Sequence, residues 1–237
     1  KNMPPPSSNT GDLFQDSLVV NDVSAPSILR WSAPGDPEAF PPLYYMDFET
    51  RENDIIRAVR VVNNRLVVGL DSSLWRMNYL PSERDASFDR GKCAEIISRS
   101  QGIVNPMCCC TFTMEGGSEQ LAFISNKGLC TTDGFNFVTR SKNLTWRNHI
   151  SLAAGVTSTP VALLNDPENR CLRFYYQNTS DTSSPELCLW ASYDAGDIDA
   201  DGNFKFSGPV NMENWDQPSD ARASVKSAWA VPRPNGS

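Results

Sequence analysis

Ile55-Ile56-Arg57-Ala58-Val59-Arg60-Val61-Val62 runs into Asn63-Asn64, then Arg65-Leu66-Val67-Val68-Gly69-Leu70, then Asp71-Ser72 and Ser73-Leu74-Trp75-Arg76-Met77. Each apolar run is too short for an ordinary helix and too rich in β-branched and aromatic residues for a loop. The Asn-Asn and Asp-Ser pairs carry turn chemistry, because short polar side chains bond the nearby backbone and tolerate left-handed conformations. The stretch predicts a meander of antiparallel strands.

Two further passes share this construction. Over Met107–Thr139, Cys-Cys-Thr-Phe-Thr-Met leads through Glu115-Gly116-Gly117 to Gln-Leu-Ala-Phe-Ile, Asn126-Lys127-Gly128 turns into Leu-Cys-Thr-Thr, and Asp133-Gly134 precedes Phe-Asn-Phe-Val. Over Pro160–Phe206, Val-Ala-Leu-Leu, Cys-Leu-Arg-Phe-Tyr-Tyr, Leu-Cys-Leu-Trp-Ala-Ser-Tyr and Phe-Lys-Phe alternate with polar turns. Three or four strands recurring every ~45 residues is the spacing of propeller blades. The expected fold class is all-β, with antiparallel meanders arranged as a β-propeller of about five blades, a ring left incomplete if the chain is a fragment of a longer polypeptide. Residue-level similarity between passes is weak, so the repeat is architectural.

The 237 residues suffice for one large all-β domain, and 17 prolines with 14 glycines punctuate the chain throughout. Ile150–Val156 is the one stretch read as a short helical turn. The Pro-rich residues 1–12 are expected to be a flexible arm or linker, residues 13–232 the propeller-like domain, and residues 233–237 a polar tail. No segment is long and apolar enough for a membrane span. Lys rather than Met at position 1 suggests a processed or truncated chain.

A formal charge of −7 argues against a surface devoted to nucleic-acid phosphates. Arg57, Arg60, Arg65 and Arg76 share one meander, but strand alternation scatters them over two faces, and no dedicated nucleic-acid site is expected. The seven cysteines, at 93, 108, 109, 110, 130, 171 and 188, form no disulfide framework and read as small buried residues of a chain that folds in a reducing compartment. On a strand Cys108 and Cys110 face one way and Cys109 the other, so the trio does not converge on zinc. His149, the single histidine, sits in no nucleophile motif and reads as a loop or surface residue. No catalytic residue is assigned, and the chain is not expected to be an enzyme. Thr132-Asp133-Gly134-Phe135-Asn136-Phe137 resembles the Asp-box turn of sialidase-like propellers, which is a structural fastener there.

One metal-like pattern remains. In Asp194-Ala-Gly-Asp197-Ile-Asp199-Ala-Asp201-Gly202, the residues Asp197, Asp199 and Asp201 match the first three ligand positions of an EF-hand loop and are the candidate ligands for Ca²⁺. Gly208 stands where the bidentate Glu belongs, and the flanks read as strands. Acidic turns of this kind also occur without metal.

The order of motifs resembles that of the β-propeller virion proteins found in tails and necks of DNA bacteriophages. Arg30-Trp-Ser-Ala-Pro-Gly-Asp-Pro-Glu-Ala-Phe-Pro matches a Ser-x-x-Gly-Asp-Pro-Glu loop that precedes a blade ending near a Ser-Ile/Leu-Trp element, here Ser73-Leu74-Trp75. Gly102-Ile-Val-Asn-Pro-Met, Leu121–Phe135, Leu163–Tyr176 and Asp201–Val210 follow in the corresponding order, so the resemblance spans residues 28–210. Cys110 and Cys130 depart from it, standing where bulkier apolar residues are usual. The resemblance implies a structural component of the virion in the tail tube, nozzle, collar or neck. Its implied partners are other virion proteins and copies of itself in a ring, after assembly in the host bacterial cytoplasm.

Two other classes compete. A carbohydrate-binding propeller, a receptor-binding or lectin-like module for a host surface glycan, would use Trp75, Trp146, Trp190, Trp215 or Trp229 as sugar platforms, although strand-end Trp is also an ordinary packing residue. A glycosidase would use paired carboxylates that meet only in space. All three share one expectation: far-ultraviolet circular dichroism shows less than about a tenth helix, against the usual third. A strong helical signature would refute it.

Overall fold

The computed structural model describes residues 2–48, 54–81, 93–144, 158–178 and 186–211. They form four four-stranded antiparallel sheets, each a simple meander in chain order. The first contains β1 (Gly11–Phe14), β2 (Ser17–Asp22), β3 (Ala25–Trp31) and β4 (Tyr45–Asp47). The second contains β5 (Ile56–Val62), β6 (Arg65–Leu70), β7 (Leu74–Met77) and β8 (Ala94–Ser98). The third contains β9 (Cys109–Thr113), β10 (Glu119–Ser125), β11 (Gly128–Thr132) and β12 (Phe137–Thr139). The fourth contains β13 (Ser158–Asp166), β14 (Cys171–Asn178), β15 (Glu186–Ser192) and β16 (Lys205–Asn211). Helix is almost absent from the described residues; Ala195–Asp197 forms a short 3-10 turn.

The all-β class agrees with the sequence. The three expected meanders are present, and a fourth precedes them. Its first hairpin turns on Gln15-Asp16, both at positive φ (50° and 59°), so that Phe14 pairs with Ser17. Asn63-Asn64 does the same between Val62 and Arg65, at 47° and 57°. Two-residue hairpins of type I′ require this left-handed pair, whose twist matches that of the strands. Asn announces it; Gln-Asp does not.

Adjacent sheets are glued by alternate faces of their strands. Val59, Leu66, Val68, Trp75 and Met77 of the second sheet pack on Phe14, Val19, Leu29, Trp31 and Met46 of the first. The residues between them, Ala58, Val67 and Leu74, pack on Cys109, Leu121, Phe123 and Cys130 of the third. The third sheet's other face, with Phe112, Ala122 and Ile124, meets Leu163, Leu172, Phe174 and Leu189 of the fourth. Sheets two and three are buried on both faces, which explains why β6 and β10 read as continuous apolar runs rather than as alternating ones.

Neighbouring side chains satisfy the free edge of β5. Val59 N donates to Thr10 Oγ1 (3.1 Å) and Val61 N to Asp12 Oδ2 (2.8 Å), both from the first sheet's entry, while Asn63 N donates to Glu119 Oε2 (2.8 Å) of the third. Thr10 belongs to the segment expected to be an arm or linker, and other residues of that segment also bond to the first sheet. Met3 and Phe40 exchange backbone hydrogen bonds, Val23 N donates to Ser7 O, and Asn21 Oδ1 accepts from Asn9 N and Thr10 N. Prolines bar this segment from a sheet interior, yet leave its remaining amides and carbonyls available for docking. Residues 212–237, with the expected polar tail at 233–237, and the helical turn expected at Ile150–Val156 lie outside the described residues.

Gly102 lets the connection between sheets two and three lie against the β6–β7 turn. A Cβ there would sit 1.9 Å from Leu70 O and 2.6 Å from Asp71 C, both backbone atoms, and the adjacent Ile103 N donates to Leu70 O (2.8 Å). Gly102→Ala is therefore expected to lower unfolding free energy by roughly 2–3 kcal/mol, as overpacking against backbone does. Urea denaturation measures it, and a wild-type midpoint would contradict this packing.

Candidate functional site

The candidate site is the connection between β15 and β16 and the cleft beside it. After Ser192 the chain makes the 3-10 turn and then a tight aspartate turn. Asp199 Oδ1 accepts from Asp201 N (3.0 Å) and Asn203 N (2.8 Å), and Asp199 Oδ2 accepts from Asn203 Nδ2 (2.9 Å). Gly202 N donates to Asp199 O (2.9 Å), with Gly202 at φ 78°, a conformation that favours glycine. Asp199 thus acts as the organiser of its own turn.

Asp197 is engaged from two sides: Ser192 Oγ donates to Oδ2 (2.8 Å), and Lys205 Nζ donates to Oδ1 (2.9 Å). The bond from Lys205, helped by Ser192, holds its carboxyl below the usual range, and the bonds from Asn203 do the same at Asp199. Both are carboxylates at neutral pH.

The loop is anchored to the third sheet. Arg140 donates to Thr131 Oγ1 (2.9 Å) and to Gly202 O (2.9 Å), and its guanidinium lies 5.3 Å from the Phe204 ring centroid. Lys142 N donates to Asn203 Oδ1 (3.1 Å), and Asn143 Nδ2 to Phe204 O (3.0 Å). A cleft of about 520 Å³ opens where these elements meet, bounded by Asn143 and Leu144 from the third sheet's trailing turn, residues 196–199 of the loop, and Lys205 and Phe206 of β16.

Of the three aspartates proposed as calcium ligands, Asp197 and Asp199 line this cleft, while Asp201 is exposed and outside its lining. No group of three or more His, Cys, Asp or Glu side chains placed to hold a metal occurs among the described residues. The lining residues missed from sequence are Asn143, Leu144, Lys205 and Phe206, which meet the aspartate loop only through sheet packing.

The other singled-out residues have structural surroundings. Cys108 and Cys110 pack in the core between sheets three and four, and Cys109 in the core between sheets two and three, as alternation required. Cys108, Cys109, Cys110, Cys130, Cys171 and Cys188 are free thiols. Burial raises all six, Cys188 to about 11, so none is a thiolate nucleophile at neutral pH.

Trp75 is buried and donates to Ser73 Oγ (3.1 Å), and Arg173 lies over the half-buried Trp190 (4.9 Å). His149, Trp146, Trp215 and Trp229 lie outside the described residues. The Thr132–Phe137 turn is self-closed, Asp133 Oδ1 accepting from Phe135 N and Asn136 N (2.8 Å each). Its Phe135 ring stacks against both Arg65 (3.9 Å) and Arg76 (4.3 Å) of the second sheet, joining two sheets. Of the four arginines weighed as a phosphate site, Arg57 pairs with Asp71 and Arg60 donates to Val59 O (2.8 Å).

No protein-family model matches the sequence, and no curated protein matches it either.

Because Lys205 and Ser192 occupy both oxygens of Asp197, millimolar Ca²⁺ is expected to leave the thermal unfolding midpoint within about 1 °C of its value in a chelator. Differential scanning calorimetry in the two buffers tests this. A calcium-dependent rise of several degrees would show that the aspartate loop rearranges around the ion.

Proposed function

We propose that the four meanders are successive blades of a β-propeller, and that the chain is a non-enzymatic structural component of a DNA-bacteriophage particle in its tail, nozzle or neck region. The observation that carries this reading is the strict order of packing. Each sheet is a meander in chain order, and each packs on the next through the alternate face of its strands. First strands meet neighbouring sheets, β5 lying against β1 and β13 against β9, as expected where strands gather about an axis.

The motif order that resembles phage propellers supports the assignment. The loop containing Ser32-Ala-Pro-Gly-Asp-Pro-Glu38 falls between β3 and β4 and is held in a defined shape. Gly35 N donates to Asp16 O (2.8 Å), and Ala33 N to Ala39 O (2.7 Å). Free thiols suit folding in a reducing bacterial cytoplasm. Copies of the chain in a ring, together with other virion proteins, are the proposed partners. A rigid stack of sheets with loops at both ends is a suitable platform for symmetric contacts.

Reversing a solvent-exposed turn charge, as in Glu168→Lys between β13 and β14, tests the role. Such a change costs little stability but places the wrong charge across a contact. Complementing an amber mutant of the gene with loop variants of this kind, and imaging the products, should reveal variants that keep the isolated fold yet block particle assembly. Normal infectious particles lacking the protein altogether would refute the proposal.

A further inference from the structure

We propose that the cleft between the trailing turn of the third sheet and the β15–β16 loop binds a neutral oligosaccharide, through Lys205, Asp199 and Asn143 beside an apolar strip of Leu144, Ile198 and Phe206. This binding activity is independent of the assembly role. Tryptophans are the sugar platforms that the sequence offers; none is among the described residues lining this cleft.

Size and shape come first. A volume of about 520 Å³ falls within the ~300–1,000 Å³ range of clefts that hold small organic ligands. Gly196 lines it, and a Cβ placed there would meet nothing within 4 Å, so the space beside the backbone is open.

Charge then selects the ligand class. A bare divalent cation is disfavoured, because the Lys205 ammonium stands 2.9 Å from Asp197 Oδ1. A phosphate or carboxylate is disfavoured by the two carboxylates of Asp197 and Asp199. What matches a rim of mixed sign is a neutral molecule whose groups both donate and accept.

The unspent hydrogen-bonding capacity is of that kind. Lys205 Nζ has three protons and gives one to Asp197. Asn143 spends its amide nitrogen on Phe204 O, leaving its carbonyl oxygen as an acceptor, and Asp199 Oδ2 takes a bond from Asn203 Nδ2 with lone-pair capacity remaining. Hydroxyl groups serve such donors and acceptors together. The C–H face of a pyranose ring would cover Leu144, Ile198 and Phe206, which the core between sheets three and four leaves partly buried.

The test screens the full chain on an array of neutral and N-acetylated oligosaccharides and follows hits by saturation-transfer difference NMR, with inorganic phosphate and calcium chloride as charged comparisons. Saturable binding of a neutral oligosaccharide is expected. Lys205→Ala should weaken it at least tenfold, and Gly196→Trp, which fills the cleft, should abolish it. Lys205 is two-thirds exposed and Gly196 has free space around it, so both variants should keep wild-type circular dichroism and thermal midpoint. Absence of saturable binding to any sugar, binding indifferent to Gly196→Trp, or preferential binding of phosphate or calcium would each overturn the proposal.

Discussion

The structure depends on how the open edge of each meander is closed. A four-stranded sheet made by consecutive hairpins leaves its first strand with a row of unpaired amides, and such an edge invites pairing with foreign strands. In β5 this row is met by side chains of other sheets, Thr10 and Asp12 before it and Glu119 after it. In β13 the backbone does part of the same work, Leu163 N donating to Met107 O (2.9 Å). The bonds fix how far each sheet slides along its neighbour and so decide which side chains face each other in the cores.

Once the slide is fixed, packing on two faces follows. Leu66, Val67 and Val68 are consecutive, yet the first and third face one core and the second faces another. An aspartate or lysine at any of the three would be buried without water. Glycine at position 69 makes room for Ile103: a Cβ there would lie 2.4 Å from Ile103 Cδ1, so a larger residue requires that side chain to shift. The β5–β6–β7 segment is therefore constrained on both sides, which is why it was the most legible part of the chain.

Legibility elsewhere tracks the same physics. The third and fourth sheets could be read because Asp-Gly, Asn-Lys-Gly and Asn-Asp-Pro turns punctuate them. The first sheet was harder, since its hairpin turns on Gln15-Asp16 and its third and fourth strands are separated by the long loop after Trp31. The bonds of residues 2–10 are not legible, because composition reports what a segment cannot do within a sheet and is silent about a neighbour such as Asn21, whose side-chain carbonyl accepts from the Asn9 and Thr10 amides. The cleft was half legible. Asp197 and Asp199 stood out by their spacing, whereas Asn143 and Leu144 lie more than fifty residues away and reach the cleft through Arg140, Lys142 and the packing of sheet three on sheet four.

The acidic balance of the chain also changes meaning in the fold. A net charge of −7 invites thoughts of a binding field, but many aspartates are consumed locally as turn caps. Asp22 accepts from Ser24 N, Asp36 from Glu38 N, Asp133 from Phe135 N, Asp166 from Asn169 N and Asp199 from Asp201 N. Asp22 and Asp166 go further: burial opposes their ionisation, yet bonds from Ser24 and Arg30, and from Asn169 and Arg173, outweigh it and hold both carboxyls below the usual range. Turns between short strands thus account for these five aspartates without a ligand. A functional site in such a chain is marked less by acidity than by its interruption, and at the cleft a lysine with unspent donors stands among the carboxylates.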